Sequence, residues 1–375
     1  MKKKLILINS CKGLYGGVES FLLNIFNNLD LERYDVTFLT CGKTTYNMYK
    51  KEIIEKGGCV EEIPIYANSI KKQARLYYEL YKYYKRKNPD IVHINSGGLS
   101  FHFLAARAAK KAGIKSIILH SHNFIPQENR IRNKIKSIVK FKLVHYGTRF
   151  LACSKGAAKW IFPDSLVEKN MVEIIPNGID TKKFAFDTTK RKNFRLELGL
   201  TDELIIGNIG RFQPQKNHKF MIKVMKEVVK LQPKARLLLV GEGELKNEIR
   251  KDIHIANLDD NVIFLGERKD MASFLSAIDI FILPSLHEGF PISAIEAQTS
   301  GAKVILADTI TSETNITGEA IFLSISECDA ERRWSDIICD NTANLDRTIQ
   351  KDVVKDAGYD VSAYCERIKQ IYNGE

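Results

Sequence analysis

Two α/β domains built on parallel sheets are what this sequence predicts, and three observations carry the prediction. At 375 residues the chain exceeds the length that one hydrophobic core usually serves, so two cores are expected. Short strand-like apolar runs alternate with helix-periodic segments from end to end, which is the pattern of parallel sheets covered on both faces. A new strand begins at Leu204 after the polar stretch 181–200, so a second doubly wound unit starts there and the junction falls near 181–190.

From the amino terminus, Leu5-Ile6-Leu7-Ile8 is too short an apolar run for a signal-peptide core and reads as a first strand, 5–9. Beyond it, tandem glycines, Gly16-Gly17, lead into a helix with Phe21, Leu22, Ile25 and Leu29 on one face. Glycines at a helix start expose bare amides that suit a phosphate. They do not make a Gly-x-Gly-x-x-Gly fingerprint, which argues against a nicotinamide enzyme. Strands follow at 35–40 and 91–95. The Tyr-rich segment 77–84 between them has the three-to-four spacing of a packed helix face rather than a sugar platform. Strand 116–120 ends at His120 and runs into Ser121-His122, and strands at 150–152 and 172–175 complete this half.

Charge is shared unevenly. Residues 1–180 hold 30 Lys/Arg against 15 Asp/Glu, whereas the remainder holds 27 against 30. The densest basic run is 130–142, where Ile131, Ile135, Ile138, Val139 and Phe141 fit a helix and no acid occurs between Glu128 and Asp164. Such a helix is either a solvated face packed on the sheet or a cationic surface for anionic lipid. Nucleic acid is a poorer match, for no recognised binding fold or aromatic-basic signature accompanies the run. The 7 cysteines are scattered, without a Cys-x-x-Cys pair, and point to reduced thiols in a cytoplasmic compartment rather than disulfides or zinc. No stretch approaches the ~18 apolar residues of a membrane span.

The second half carries its chemistry at strand ends. Strand 204–208 leads through Gly210 into Arg211, with Lys216 close behind. An arginine fork and a mobile lysine charge just past a strand can grip a diphosphate and neutralise it as it leaves. Strand 236–240 ends in Gly241-Glu242-Gly243, where a backbone can approach a ligand closely. Strand 262–264 is followed by Leu265-Gly266, and strand 280–283 delivers Glu288 to the loop beyond its carboxyl end. Gly289, Phe290 and Pro291 form the turn, the helix opens near Ile292, and Glu296 is placed about two turns into it. A loop carboxylate, free helix amides and a second carboxylate suit a sugar nucleotide. The amides take phosphate oxygens, while the carboxylates take sugar and ribose hydroxyls. A strand at 303–306 and a helix at 359–372 close the chain.

Arg211 with Lys216, the pair Glu288-x7-Glu296, Asn177-Gly178-Ile179-Asp180 between the halves and Gly16-Gly17-Val18-Glu19 together resemble the retaining GT-B glycosyltransferases of family 4. The resemblance runs over nearly the whole chain. Around Glu296-Ala-Gln-Thr-Ser-Gly301 and Trp334 it is most similar to bacterial enzymes that build capsular or exopolysaccharide repeat units. It implies two Rossmann-like, doubly wound domains facing each other across a cleft. Residues 1–182 would bind the acceptor, completed by a last helix, 359–375, crossing back, and 183–358 would bind the nucleotide sugar.

The resemblance also implies residue roles. A hexose-type sugar would move with retention from a nucleotide-diphosphate sugar, more readily a UDP-sugar, to a glycan or lipid-linked acceptor. No Asp-x-Asp occurs, so no metal is expected to be required, and Arg211, Lys216 and helix amides would carry the electrostatic task. Glu288 would hold the donor sugar, Glu296 the ribose, and the backbone after Leu265-Gly266 the base. Gly16, Gly17, Gly210, Gly241, Gly289, Phe290, Pro291 and Ile292 would line the donor. A family histidine near the acceptor and the donor sugar falls on His122 by strand length, with His120 one place inside the strand, and which of the two faces the reaction stays open. Ser154 resembles the family's serine after the next strand. The expected location is cytoplasmic, at the inner face of the cell membrane through 130–142. A sugar-nucleotide epimerase or hydrolase of this architecture, and a non-catalytic partner subunit, remain as alternatives.

Overall fold

The computed structural model describes residues 2–12, 16–44, 46–96, 98–122, 130–288, 290–340 and 346–375. The chain forms two compact units, Met1–Asn177 with Ser362–Glu375, and Gly178–Val361. The first unit is a sheet of β1 (Lys3–Lys12), β2 (Tyr34–Lys43), β3 (Cys59–Ile63), β4 (Ile91–Ser96), β5 (Ser116–Ser121), β6 (Arg149–Ala152) and β7 (Glu173–Ile174). Its strands are parallel and lie in the order β3-β2-β1-β4-β5-β6-β7. The second unit holds β8 (Ile205–Ile209), β9 (Arg236–Val240), β10 (Val262–Gly266), β11 (Ile280–Leu283), β12 (Lys303–Ala307) and β13 (Ile321–Leu323), in the order β10-β9-β8-β11-β12-β13. The strand order reverses between β1 and β4 in one sheet and between β8 and β11 in the other. At such a switch point the helices leave on opposite faces and open a crevice beyond the strand ends.

The central strands are continuous apolar runs because helices cover both faces, and β11 is buried at all its positions. Two strands escape a reading of apolar runs. β3 carries Glu61 and Glu62, and β13 is only three residues long. Both are sheet edges, where pairing with a single neighbour does not require full burial. The polar stretch 181–200, in which the junction was placed, contains a helix, Thr188–Glu197, whose N-cap Asp187 accepts from Lys190 N. Its buried residues are Phe194 and Arg195, too few to produce an apolar stripe.

Charge anchors that helix. Arg191 and Arg195 donate to the Asp279 carboxylate at 2.6 and 2.9 Å, which also accepts Ile205 N at 2.8 Å. The same two arginines donate to the carbonyl of Ala277, which ends helix Met271–Ala277. Arg347 adds bonds to Leu275 O, Ile278 O and Ser300 O, and burial pushes its pKa down to about 9. The guanidinium fork supplies the donors that unpaired helix-end carbonyls need.

The Tyr-rich helix, Ile70–Lys87, buries Leu76, Leu80, Tyr83 and Tyr84, a packed face. The closing helix is Val361–Asn373, burying Tyr364, Cys365, Ile368, Ile371 and Tyr372. Ahead of it, Ile179 N donates to Tyr359 O and Val361 N to Ile179 O, each at 2.8 Å. The Thr181 hydroxyl and the Asp360 carboxylate also bond. These bonds place 178–181 and 359–361 together in the second unit, so its ends fall at Gly178 and Val361 rather than at 183 and 358.

Candidate active site

Beyond β8 the chain turns through Gly210, Arg211 and a short 3-10 segment, Pro214–Lys216, before helix His218–Leu231. Asn217 takes a left-handed conformation, φ 54°, at that helix start, a setting asparagine tolerates. Its side chain donates to Pro284 O at 3.1 Å, Gln215 Nε2 donates to His287 O at 2.9 Å, and Leu286 N donates to Gln215 O at 2.8 Å. These three bonds lace the loop after β8 to the loop after β11, so the switch point of the sheet brings the cation loop against Glu288. Lys216 Nζ lies 2.7 Å from Glu288 Oε1, and Ser285 Oγ donates to the same oxygen at 2.8 Å. Among the described residues both of these bonds fall on Oε1, and a carboxylate has a second oxygen that can accept a hydroxyl. The side chains of Lys216 and Glu288 are 16% and 11% exposed, so the pair is sheltered rather than on an open surface loop.

The glycines here serve loop packing. A Cβ on Gly210 would come within 3.0 Å of the Lys216 stem, and one on Gly241, whose φ is 139°, would lie 2.1 Å from Gly210 O. A Cβ on Gly243 would stand 2.5 Å from Phe212 O. At Gly241 and Gly243 the backbone of the neighbouring loop crosses where side chains would sit. Leu265 is half-buried, and Gly266 O accepts Gly241 N at 2.9 Å, tying the third loop to the second.

Helix Ile292–Thr299 starts after Pro291, and Phe290 stacks on Tyr359 with ring centroids 5.5 Å apart. Glu296 is its fifth residue, just past the first turn rather than two turns in, since four residues on from Ile292 make little more than one turn. Burial pushes its carboxyl up to about 7, with Lys183 acting in the opposite sense. Gly289 lies outside the described residues. Arg211 is half-buried, and its carbonyl accepts Gln213 N at 2.8 Å.

In the first unit Gly16 is the extended N-cap of helix Gly17–Asn28, and the buried Glu19 accepts Asn9 Nδ2 at 2.8 Å. His120 and His122 stand at the end of β5 with ring centroids 4.1 Å apart, both against Phe21. Their surroundings separate them. His120 is fully buried, its Nδ1 bonded to His93 Nε2 at 3.2 Å, while His93 Nδ1 meets the Tyr372 hydroxyl at 2.6 Å. His122 is only half-buried as a residue, and its ring nitrogens meet the amides of Asn95 and Asn177. Burial pushes the His122 pKa down to about 3, and holds His93 and His120 well below the usual histidine range. These rings are therefore neutral at physiological pH. Ser154 caps helix Lys155–Ile161 by accepting from Ala157 N at 3.1 Å, which is reason enough for a serine there.

Sequence reasoning did not single out Ser285, Gln215, Asn217 or Asn95 as site residues. Small polar residues beside strand ends are common, and only their partners across the loops distinguish them.

Residues 15–183 match the family model for Glycosyltransferase Family 4, and residues 190–331 the model for Glycosyl transferases group 1. The chain is 28% identical over 364 residues to a putative glycosyltransferase, EpsF, of Bacillus subtilis, covering 96% of this chain and 93% of that one. It is 29% identical to an Escherichia coli UDP-Gal:alpha-D-GlcNAc-diphosphoundecaprenol alpha-1,3-galactosyltransferase, over 79% of this chain and 77% of that one. In fold it is similar to the Anabaena protein HepE in complex with UDP and glucose, with a TM-score of 0.78, 17% identity and 100% of both chains covered. The two models follow one another along the chain much as its two units do, and the chain belongs to the family 4 glycosyltransferases of the GT-B fold.

Proposed function

We propose that the protein transfers a hexose-type sugar from a UDP-sugar to a glycan or lipid-linked acceptor, with retention, in the synthesis of a cell-surface polysaccharide. The observation that supports this reading is the Lys216–Glu288–Ser285 cluster at the β8/β11 switch point, a cation beside a carboxylate whose described bonds all fall on one oxygen. The diphosphoundecaprenol-linked sugar in the name of the Escherichia coli relative, and UDP in the structural neighbour, agree with it. In this reading the second unit holds the donor, with Arg211 and Lys216 on the diphosphate, Glu288 on sugar hydroxyls, Glu296 on the ribose and the backbone after Leu265 on the base. The first unit holds the acceptor near His122. The acceptor oxygen attacks C1 from the face that UDP leaves. The C1–O bond to phosphate breaks as the new C1–O bond forms, and the acceptor's proton passes to the departing phosphate oxygen. Charge building on that phosphate is met by Arg211 and Lys216.

Thermal unfolding with UDP- and GDP-sugars tests the donor. A UDP-sugar at about 100 times its Kd should add ~2.7 kcal/mol of stability, and GDP-sugars much less. Turnover should survive EDTA, because in this reading Arg211 and Lys216 carry the electrostatic task of a metal. Complete loss in EDTA with recovery in manganese would sink the metal-free reading.

The proposed membrane contact would be made by helix Arg130–Val144. Lys136 lies over the Trp160 ring at 4.4 Å and Lys140 donates to Lys159 O at 2.6 Å, whereas Ile138 and Phe141 are 58% and 57% exposed. Exposed apolar side chains among lysines suit a helix lying in an anionic interface. No described helix is long and apolar enough to cross a membrane. The protein should co-sediment with anionic liposomes, be released by high salt, and lose binding when Lys134 and Lys142 become Glu and Phe141 becomes Ser. Equal sedimentation with neutral and anionic vesicles at low salt would favour a soluble acceptor.

A further inference from the structure

Both ring nitrogens of His122 face amide oxygens, Nε2 at 2.9 Å from Asn95 Oδ1 and Nδ1 at 3.2 Å from Asn177 Oδ1. A neutral imidazole has one N–H and can donate to only one of them. Asn95 is held one way round, because its Nδ2 donates to His93 O at 2.9 Å and the residue is fully buried. Turning it would set oxygen against oxygen at that carbonyl. Its Oδ1 therefore stays on Nε2, and Nε2 carries the proton. Nδ1 is then a bare lone pair.

Asn177 has no comparable anchor. Among the described residues its amide is bonded only to His122, and turning it exchanges the oxygen for the nitrogen at the same position. With Nδ2 toward the ring, Asn177 donates to Nδ1 and both ring nitrogens are satisfied. A doubly protonated ring would also suit two oxygens, but burial opposes the charge. The titratable groups around the ring, His93, His102 and His120, are buried bases that would add like charge if protonated.

We propose that Asn95 and Asn177 are positioning residues that hold His122 as the neutral Nε2–H tautomer, with Asn177 donating to Nδ1. The proposal rests on His122 taking part in sugar transfer, and it assigns a task to the first residue of Asn177-Gly178-Ile179-Asp180. Asn177 is the last residue of the first unit and Asn95 lies in β4, so His122 is tied at once to a central strand and to the chain where one unit ends. A ring so held offers a sugar a fixed, uncharged edge rather than a proton donor or base.

Long-range 1H–15N spectra of the full chain labelled in histidine test this, with His122 assigned by its loss in His122→Gln. The wild-type ring should show the Nε2–H pattern, without titration between about pH 5 and 8. Asn177→Asp sets a carboxylate on Nδ1 and should shift the ring to Nδ1–H or imidazolium near neutral pH. Turnover should fall about tenfold while donor KM changes little, as expected for one misplaced hydrogen bond. Asn177→Ala, which removes the side-chain donor without adding charge, should lower turnover likewise if the Asp variant does not fold. A wild-type ring protonated on Nδ1, or titrating near pH 6.5, overturns the proposal. So does a folded Asn177→Asp variant with an unaltered ring or unaltered turnover. Full activity in His122→Gln, with the wild-type tautomer as stated, would instead remove His122 from the reaction and leave its hydrogen bonding intact.

Discussion

Replacing Lys216 with alanine should lower turnover by about two orders of magnitude, and Arg211→Ala should do the same. In the proposed reading each removes a charge-assisted contact to the departing diphosphate worth ~3 kcal/mol, and each 1.36 kcal/mol of barrier is tenfold in rate. Lys216 is paired with Glu288 in the protein alone, so the diphosphate exchanges one anionic partner for another rather than meeting a bare cation. The alanine variant thus also frees Glu288 Oε1, although Ser285 still donates to it. Donor binding should weaken less than turnover, since the leaving phosphate gains its charge in the transition state. Near-native turnover in a folded double variant would sink the assignment. The pair is sheltered, so unfolding should be followed alongside the rate.

Asp279→Ala should destabilise the second unit by about 3–5 kcal/mol, the cost of stranding buried charge when one partner is removed. Asp279 compensates Arg191 and Arg195 and accepts Ile205 N at the start of β8, and Arg347 stands close by with its own charge. Its loss leaves three guanidiniums around carbonyls that cannot neutralise them. For a unit of this size, roughly 2–4 °C per kcal/mol predicts a fall of about 6–20 °C in the second unit's Tm. Calorimetry should show that transition moving while the first unit's holds. A shift of a degree or two would mean that the carbonyl bonds alone anchor helix Thr188–Glu197.

The charged residues beyond the strand ends of the second unit were legible in the sequence. Arg211, Lys216, Glu288 and Glu296 announce themselves because charged residues beside buried apolar strands stand out against their neighbours. The doubly wound class was equally plain, since parallel strands covered on both faces leave unbroken runs such as Ile280–Leu283. Edge strands β3 and β13 and helix Thr188–Glu197 were not, because a half-exposed edge or an arginine-anchored helix needs no apolar period.

Sequence alone determined the fold class, the two-unit division and which charged residues stand at strand ends, for these depend on local periodicity and on chemistry carried by single residues. Tertiary structure decided the rest. It pairs Lys216 with Glu288 across the β8/β11 switch, gives Gly241 its purpose beside Gly210 O, seals His120 behind His93 and leaves His122 between two asparagines. Each of these depends on segments brought together by strand order, and strand order is set by how whole helices cover the sheet, which no short stretch of sequence records.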